Sequence, residues 1–159
     1  MPDGSISSLP RNSSASIWVR WALPSASDMI FVVLLGSLCF TGLATKMLGD
    51  AGIGWHIRTG QQILPTHHIP RVDPYSSIMS GKPWIAWEWL YDAIVGALDS
   101  AAGLNGVVCL NALLIAGTFA IAFQSMVTRG TKLFPSLVLI LLAISASMIH
   151  FLARPHVVT

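Results

Sequence analysis

Apolar and charged residues are segregated along this chain into long blocks. No Asp, Glu, Lys or Arg falls between Asp28 and Lys46, between Asp99 and Arg129, or between Lys132 and Arg154. About 20 apolar residues, rising about 1.5 Å each, cross the roughly 30 Å hydrocarbon layer of a membrane. The three blocks predict three spanning helices, at about 29–48, 104–126 and 133–152. The first reaches Leu48 because Lys46 can extend its ammonium group beyond the apolar layer. Half of the charged residues lie between the first two blocks, in a long loop over 49–103.

Two stretches of that loop have helical periodicity. Ile53, Ile57, Gly60 and Leu64 share one face, Arg58, Gln61 and Gln62 point elsewhere, and Pro65 is expected to stop the helix. From about Trp84 to Ser100, Trp87, Tyr91, Ile94 and Leu98 form an apolar stripe. Glu88, Asp92 and Asp99 line another side, read as a solvated face or one meeting a cation, because like charges one turn apart repel. Both patterns suit amphipathic helices lying on a membrane surface. Pro65, Pro70, Pro74, Gly81 and Pro83 predict an ordered loop between them. Residues 1–27 are rich in Ser and Pro and are read as a disordered leader, with Trp18 and Trp21 at the membrane interface. The expected architecture is therefore an all-α integral membrane protein, with a leader over 1–27 and a membrane domain over 28–159.

Composition sharpens this picture. Charged residues make up 10% of the chain against 53% hydrophobic, and mean hydropathy is +0.67, whereas soluble domains carry about 25% charge. That deficit argues against a disordered tail, a nucleic-acid binder or an ordinary soluble enzyme. The net charge of +2 implies no anionic partner by itself. Cys39 and Cys109 both lie in apolar stretches, which indicates neither a disulfide framework nor a thiolate cluster. Arg129 and Lys132 occupy a short connection free of acids, which places that connection and the N-terminus in the cytoplasm and the 49–103 loop outside.

Asp50 follows directly on the first span, where a partly desolvated carboxylate is well placed as a general base; an acid that merely ends a helix would look the same. His56, His67, His68 and Asp73 match no compact metal-ligand spacing, and an exposed loop accounts for them. Lys82, Trp84, Trp87 and Trp89 bring a cation and indole rings to the outer interface, where they serve either as anchors or as a platform for sugar rings and lipid phosphates. Arg154, in Arg154-Pro155-His156, closes the third block and can hold a phosphate with two nitrogens at once.

Together these residues are more specific. Asp50, Trp55-His56-Ile57-Arg58-Thr59-Gly60, Ile69-Pro70-Arg71-Val72-Asp73-Pro74-Tyr75-Ser76, Gly81-Lys82-Pro83-Trp84 and Glu88-Trp89-Leu90 resemble the first outer loop of bacterial membrane glycosyltransferases of the GT-C class. That class includes relatives of protein O-mannosyltransferases and of the lipid A aminoarabinose transferases. Ala153-Arg154-Pro155-His156 is similar as well. The resemblance runs from about residue 28 to the last residue and corresponds to the N-terminal part of a typical member.

It implies a polyprenyl-phosphate-linked sugar as donor and inverting transfer on the outer face of the bacterial inner membrane. It makes Asp50 the acid that serves as catalytic base or orients the acceptor. By the same resemblance Lys82 and Arg154 are candidates for the donor phosphate, and Trp84, Trp87 and Glu88 for substrate binding. Many relatives carry a second acid beside the first; here Asp50 is followed by Ala51-Gly52-Ile53, so no paired acids stand ready for a divalent metal and no cofactor is expected. The expected partners are the lipid-linked donor, membrane lipids, and either further C-terminal spans or a partner subunit that completes the site, with no nucleic acid. The alternatives are a small non-catalytic membrane subunit whose loop binds a partner, or a truncated fragment without independent function.

Overall fold

The computed structural model describes residues 24–158, so Arg11, Trp18, Arg20, Trp21 and most of the expected leader lie outside the described residues. Helix α1 spans Ala26–Phe40 and starts earlier than the charge pattern suggests, because Ser25 and Asp28 form a reciprocal capping box. The expected first span is not one helix. Thr41 takes an extended conformation, donates its hydroxyl to Ser37 O at 2.6 Å and accepts from the Leu43 amide at 3.2 Å. That hydroxyl ends α1 and caps a second short helix, α2 (Gly42–Met47), as Thr does when it offers the backbone an alternative partner. At 15 residues, α1 is only about 22 Å long.

After α2 come α3 (Gly52–Thr66), α4 (Trp89–Ala102), α5 (Leu104–Thr128) and α6 (Leu133–Ser147). The chain then runs through two 3₁₀ turns, Met148–His150 and Pro155–Val157. Among the described residues there is no strand, only an isolated bridge between Val72 and Pro83. Leu104–Thr128 and Leu133–His150 are long and apolar enough to cross a membrane. Helix α3 does not stop at Pro65 but carries it in the last turn and ends at His67, whose left-handed backbone (φ 52°) returns its amide to Ile63 O. Helix α4 starts at Trp89, several residues later than its periodicity suggests, so Trp84 and Trp87 belong to the preceding loop.

Helix α5 is the central post. Its start packs Val107 against Ile53, Ile57, Tyr91 and Val95. Its middle packs Ala112 and Ile115 against Leu38 and Met47. Ser27 Oγ donates to Gln124 Oε1 at 2.9 Å, so α1 runs antiparallel to α5, its first turn beside the last turn of α5.

Helices α3 and α4 form the most extensive contact in the molecule, and it is made by glycine. A Cβ on Gly60 would lie 1.8 Å from Asp92 O, and one on Gly96 would lie 2.7 Å from the Gly60 carbonyl carbon. Only backbones without side chains can approach so closely. The pairs across the contact, His56 with Asp92, Gly60 with Gly96 and Gln61 with Asp99, advance in the same direction, so the helices are parallel and the 67–88 loop carries the chain back. The face read as solvated is therefore largely a packing face: Asp92 is 2% exposed, while Ile94 of the expected apolar stripe is exposed. Burial of the α4 backbone, not the stripe, decides which side turns inward.

This contact predicts that Gly60→Ala destabilises the fold by about 3 kcal/mol or more, since overpacking against backbone cannot relax by rotamer change. Gly54, on the exposed face of the same helix, has nothing within 4 Å of its would-be Cβ. Gly54→Ala should be neutral or stabilising by up to about 1 kcal/mol. Thermal unfolding in detergent compares the two; equal midpoints would refute the glycine contact.

Candidate functional site

Asp50 sits in the turn that joins α2 to α3. Its carbonyl accepts from the Ile53 amide at 3.2 Å, which starts α3. The segment after the first 3₁₀ turn folds back onto this corner: the Ala153 amide donates to Met47 O at 2.8 Å, and Ala153 is fully buried among Ile53, Tyr91 and Val107. The next residue, Arg154, is extended and turns its side chain onto Asp50. Arg154 Nε donates to Asp50 Oδ2 at 2.5 Å and Nη2 to Oδ1 at 2.6 Å, a two-pronged pair between residues 104 positions apart in the chain. The Asp50 side chain is 12% exposed and that of Arg154 46%.

The hydrogen bonds from Arg154 hold the Asp50 carboxyl below the usual carboxylate range; burial opposes this, and the Gly52 amide and the Arg154 charge reinforce it. Asp50 in turn raises Arg154. The two residues that the resemblance assigns to base and phosphate contacts are thus in contact with one another.

A second polar pair stands close by. His56 Nδ1 lies 2.6 Å from Asp92 Oδ1, with the His56 side chain 22% exposed and that of Asp92 3%. An ionised carboxylate only accepts, so Nδ1 carries the proton and Nε2 is left without a partner among the described residues. The edge of the Tyr91 ring meets His56, ring centroids 5.7 Å apart, and the Tyr91 hydroxyl reaches the buried Asn111 Oδ1 at 3.4 Å. Burial pushes the Tyr91 phenol up. His56 is therefore not in an exposed loop, as its spacing suggested, but on α3 against a buried acid. It is also near enough to Asp50 to help keep that carboxyl low.

The remaining predicted residues divide into two groups. Lys82 and Trp84 lie on the 67–88 loop, held by Asp73: its backbone pairs with Lys82 and Gly81, and its Oδ1 accepts from the Tyr75 and Ser76 amides. The Trp84 and Tyr75 rings meet edge-on, and Tyr75 stacks on Trp55 and accepts from the Thr59 hydroxyl. Trp87 is 80% exposed. With Glu88 it lines an open, mostly apolar cavity of about 370 Å³, which Tyr91, Ile94, Leu110, Leu114 and Pro155 complete. Pro155, the residue after Arg154, forms part of the groove's wall.

Among the described residues no group of three or more His, Cys, Asp or Glu is arranged to hold a metal ion. No family model, curated protein or solved structure matches the chain. What its own fold defines is an all-α bundle, with two helices of membrane-crossing length and a polar corner at one end built from Asp50, Arg154, His56 and Asp92.

Because Asp50 titrates lower in the folded chain than in the unfolded one, its pair contributes stability in full above about pH 4, the usual carboxylate range. The contribution is lost as pH falls through the lower folded value. The unfolding midpoint of the native chain should exceed that of Asp50→Asn by a constant margin near neutrality, and the margin should close on acidification. A margin unchanged at about pH 2 would show that the ion pair does not carry it.

Proposed function

We propose that the chain is the N-terminal membrane portion of a glycosyltransferase that takes a sugar from a polyprenyl-phosphate donor and transfers it, with inversion, to an acceptor on the outer face of a bacterial inner membrane. The observation that carries this reading is the two-pronged Arg154–Asp50 pair, next in sequence to Pro155, which helps line an apolar groove with Tyr91, Leu110 and Leu114. A lipid-linked sugar phosphate presents an apolar chain, an anion and a reacting anomeric carbon in that order. An apolar groove, a guanidinium adjoining it in sequence and a polar corner are the matching features here.

In this reading the prenyl chain lies in the groove, and the exposed Arg154 shares its charge with the departing phosphate, the interaction that gains most as the bond breaks. Asp50 orients the acceptor hydroxyl or takes its proton. Lys82 and Trp84, on the loop, and Trp87 and Glu88, at the groove, contact the substrates. Exposed Leu139, Leu141, Leu142 and Ile149 on the last helix and the turn after it give lipid or further spans an apolar surface. Those spans, or a partner subunit, would enclose the donor, and the mechanism needs no metal.

Asp50→Asn should lower sugar transfer by about 100-fold or more, measured in membranes containing the full-length protein with radiolabelled polyprenyl-phosphate sugars, while the variant still inserts. Arg154→Lys should chiefly raise the KM for the donor, because an ammonium cannot grip with two nitrogens. Undiminished transfer by Asp50→Asn would sink this reading and favour a non-catalytic membrane subunit.

A further inference from the structure

We infer that His56, oriented by Asp92, is the group that takes the proton from the acceptor hydroxyl, and that Asp50 serves beside it by orienting that hydroxyl; this rests on the glycosyl-transfer reading. A general base works best when it titrates near the operating pH. Asp50 is poorly suited, since two short hydrogen bonds from Arg154 hold its carboxylate in the charged form. His56, by contrast, has a carboxylate and not a guanidinium as its partner, and its second ring nitrogen can accept.

The rest of the argument is geometric. Asp92 is fixed inside the α3–α4 contact, where Gly60 and Gly96 bring the backbones together and leave its side chain 3% exposed. Its Oδ1, 2.6 Å from His56 Nδ1, sets both the tautomer and the direction of the ring. Nε2 is then the nitrogen that carries a lone pair, on a side chain 22% exposed. A buried carboxylate behind an imidazole with its far nitrogen available is the arrangement by which hydrolases activate a hydroxyl.

The reaction balances without a further reactant. The acceptor O–H proton passes to Nε2 as the acceptor oxygen bonds to the anomeric carbon. The bond from that carbon to the phosphate oxygen breaks, and its electron pair leaves with the polyprenyl phosphate. The imidazolium then returns its proton to water. The groups that bear on the charge of this imidazolium are Asp92 and Tyr91 from α4, Asp50 from the α2–α3 turn and, through Asp50, Arg154 from the C-terminal segment. Asn111 of α5, which meets Tyr91, is neutral.

The test uses the full-length protein in membranes with a panel of radiolabelled polyprenyl-phosphate hexoses and pentoses. His56→Gln can still donate to Asp92 but cannot accept a proton, so kcat should fall about 100-fold or more with little change in donor KM. Asp92 is a positioning residue. Asp92→Asn should lower kcat and move the acid limb of its pH profile to lower pH, because the imidazolium loses its counter-charge, and Asp92→Glu should restore the limb in part. Should His56→Gln fail to fold, the Asp92→Asn limb decides alone.

An unmoved acid limb in Asp92→Asn, or native kcat in a folded His56→Gln, would overturn the role of His56 while transfer by the native chain left the glycosyl-transfer reading standing. No transfer by the native chain from any donor would overturn both.

Discussion

Gly60 and Gly96 meet with no side chain between them, and the polar corner depends on that closeness. Where two helices touch backbone to backbone, the side chains one turn earlier are also brought within bonding distance. In α3 that residue is His56 and in α4 it is Asp92. A larger residue at either glycine would separate the axes, open the 2.6 Å contact and leave a buried carboxylate without its partner. An unpartnered buried charge is far more costly than an unpartnered exposed one. Packing and polar chemistry are therefore one constraint here. The same contact seats Tyr91 between the groove and His56, so apolar wall and polar corner share a side chain.

The second constraint is topological. Asp50 and Arg154 meet only because the chain after α6 returns to the end of α2, and that return is secured by one backbone hydrogen bond, from Ala153 to Met47, and by the burial of Ala153. Phe151 supports it from the other side, its ring against Phe119. Small size is what position 153 requires, since it fits among Ile53, Ile57, Tyr91 and Val95. The ion pair thus reports that α2, α3, α5 and the C-terminal segment are all in place.

Much of the helical content was legible from charge alone. The block without charges before Arg129 and the one after Lys132 correspond to α5 and α6, because a long run of unbroken hydropathy leaves few alternatives. The first block misled, since hydropathy is blind to the Thr41 hydroxyl, which competes with the helix for its own backbone. The amphipathic helices misled differently. Periodicity names the apolar stripe, but in α4 the buried side carries Asp92, which pattern reading assigns to solvent, beside Tyr91, Val95 and Gly96. A signal was present: His56 precedes Gly60, and Asp92 precedes Gly96, by the same single turn. Two helices with a polar residue one turn ahead of a glycine can join at the glycines and match those polar residues. Pairing Asp50 with Arg154 had no local signal, because it depends on a contact across nearly the whole chain.

The two acid-bearing pairs differ in burial. Arg154 keeps nearly half its surface exposed while bound to Asp50, so its charge is available to an arriving anion and screened when none is there. His56 and Asp92 are more enclosed, and the acid is out of reach of water. An exposed pair can exchange partners cheaply, whereas a buried one cannot without leaving a charge stranded. In the proposed reading, substrate anions would therefore be met by Arg154, and the His56–Asp92 pair would keep its geometry. In the glycosyl-transfer reading proposed above, that difference would suit the more exposed pair to binding and the enclosed one to proton handling.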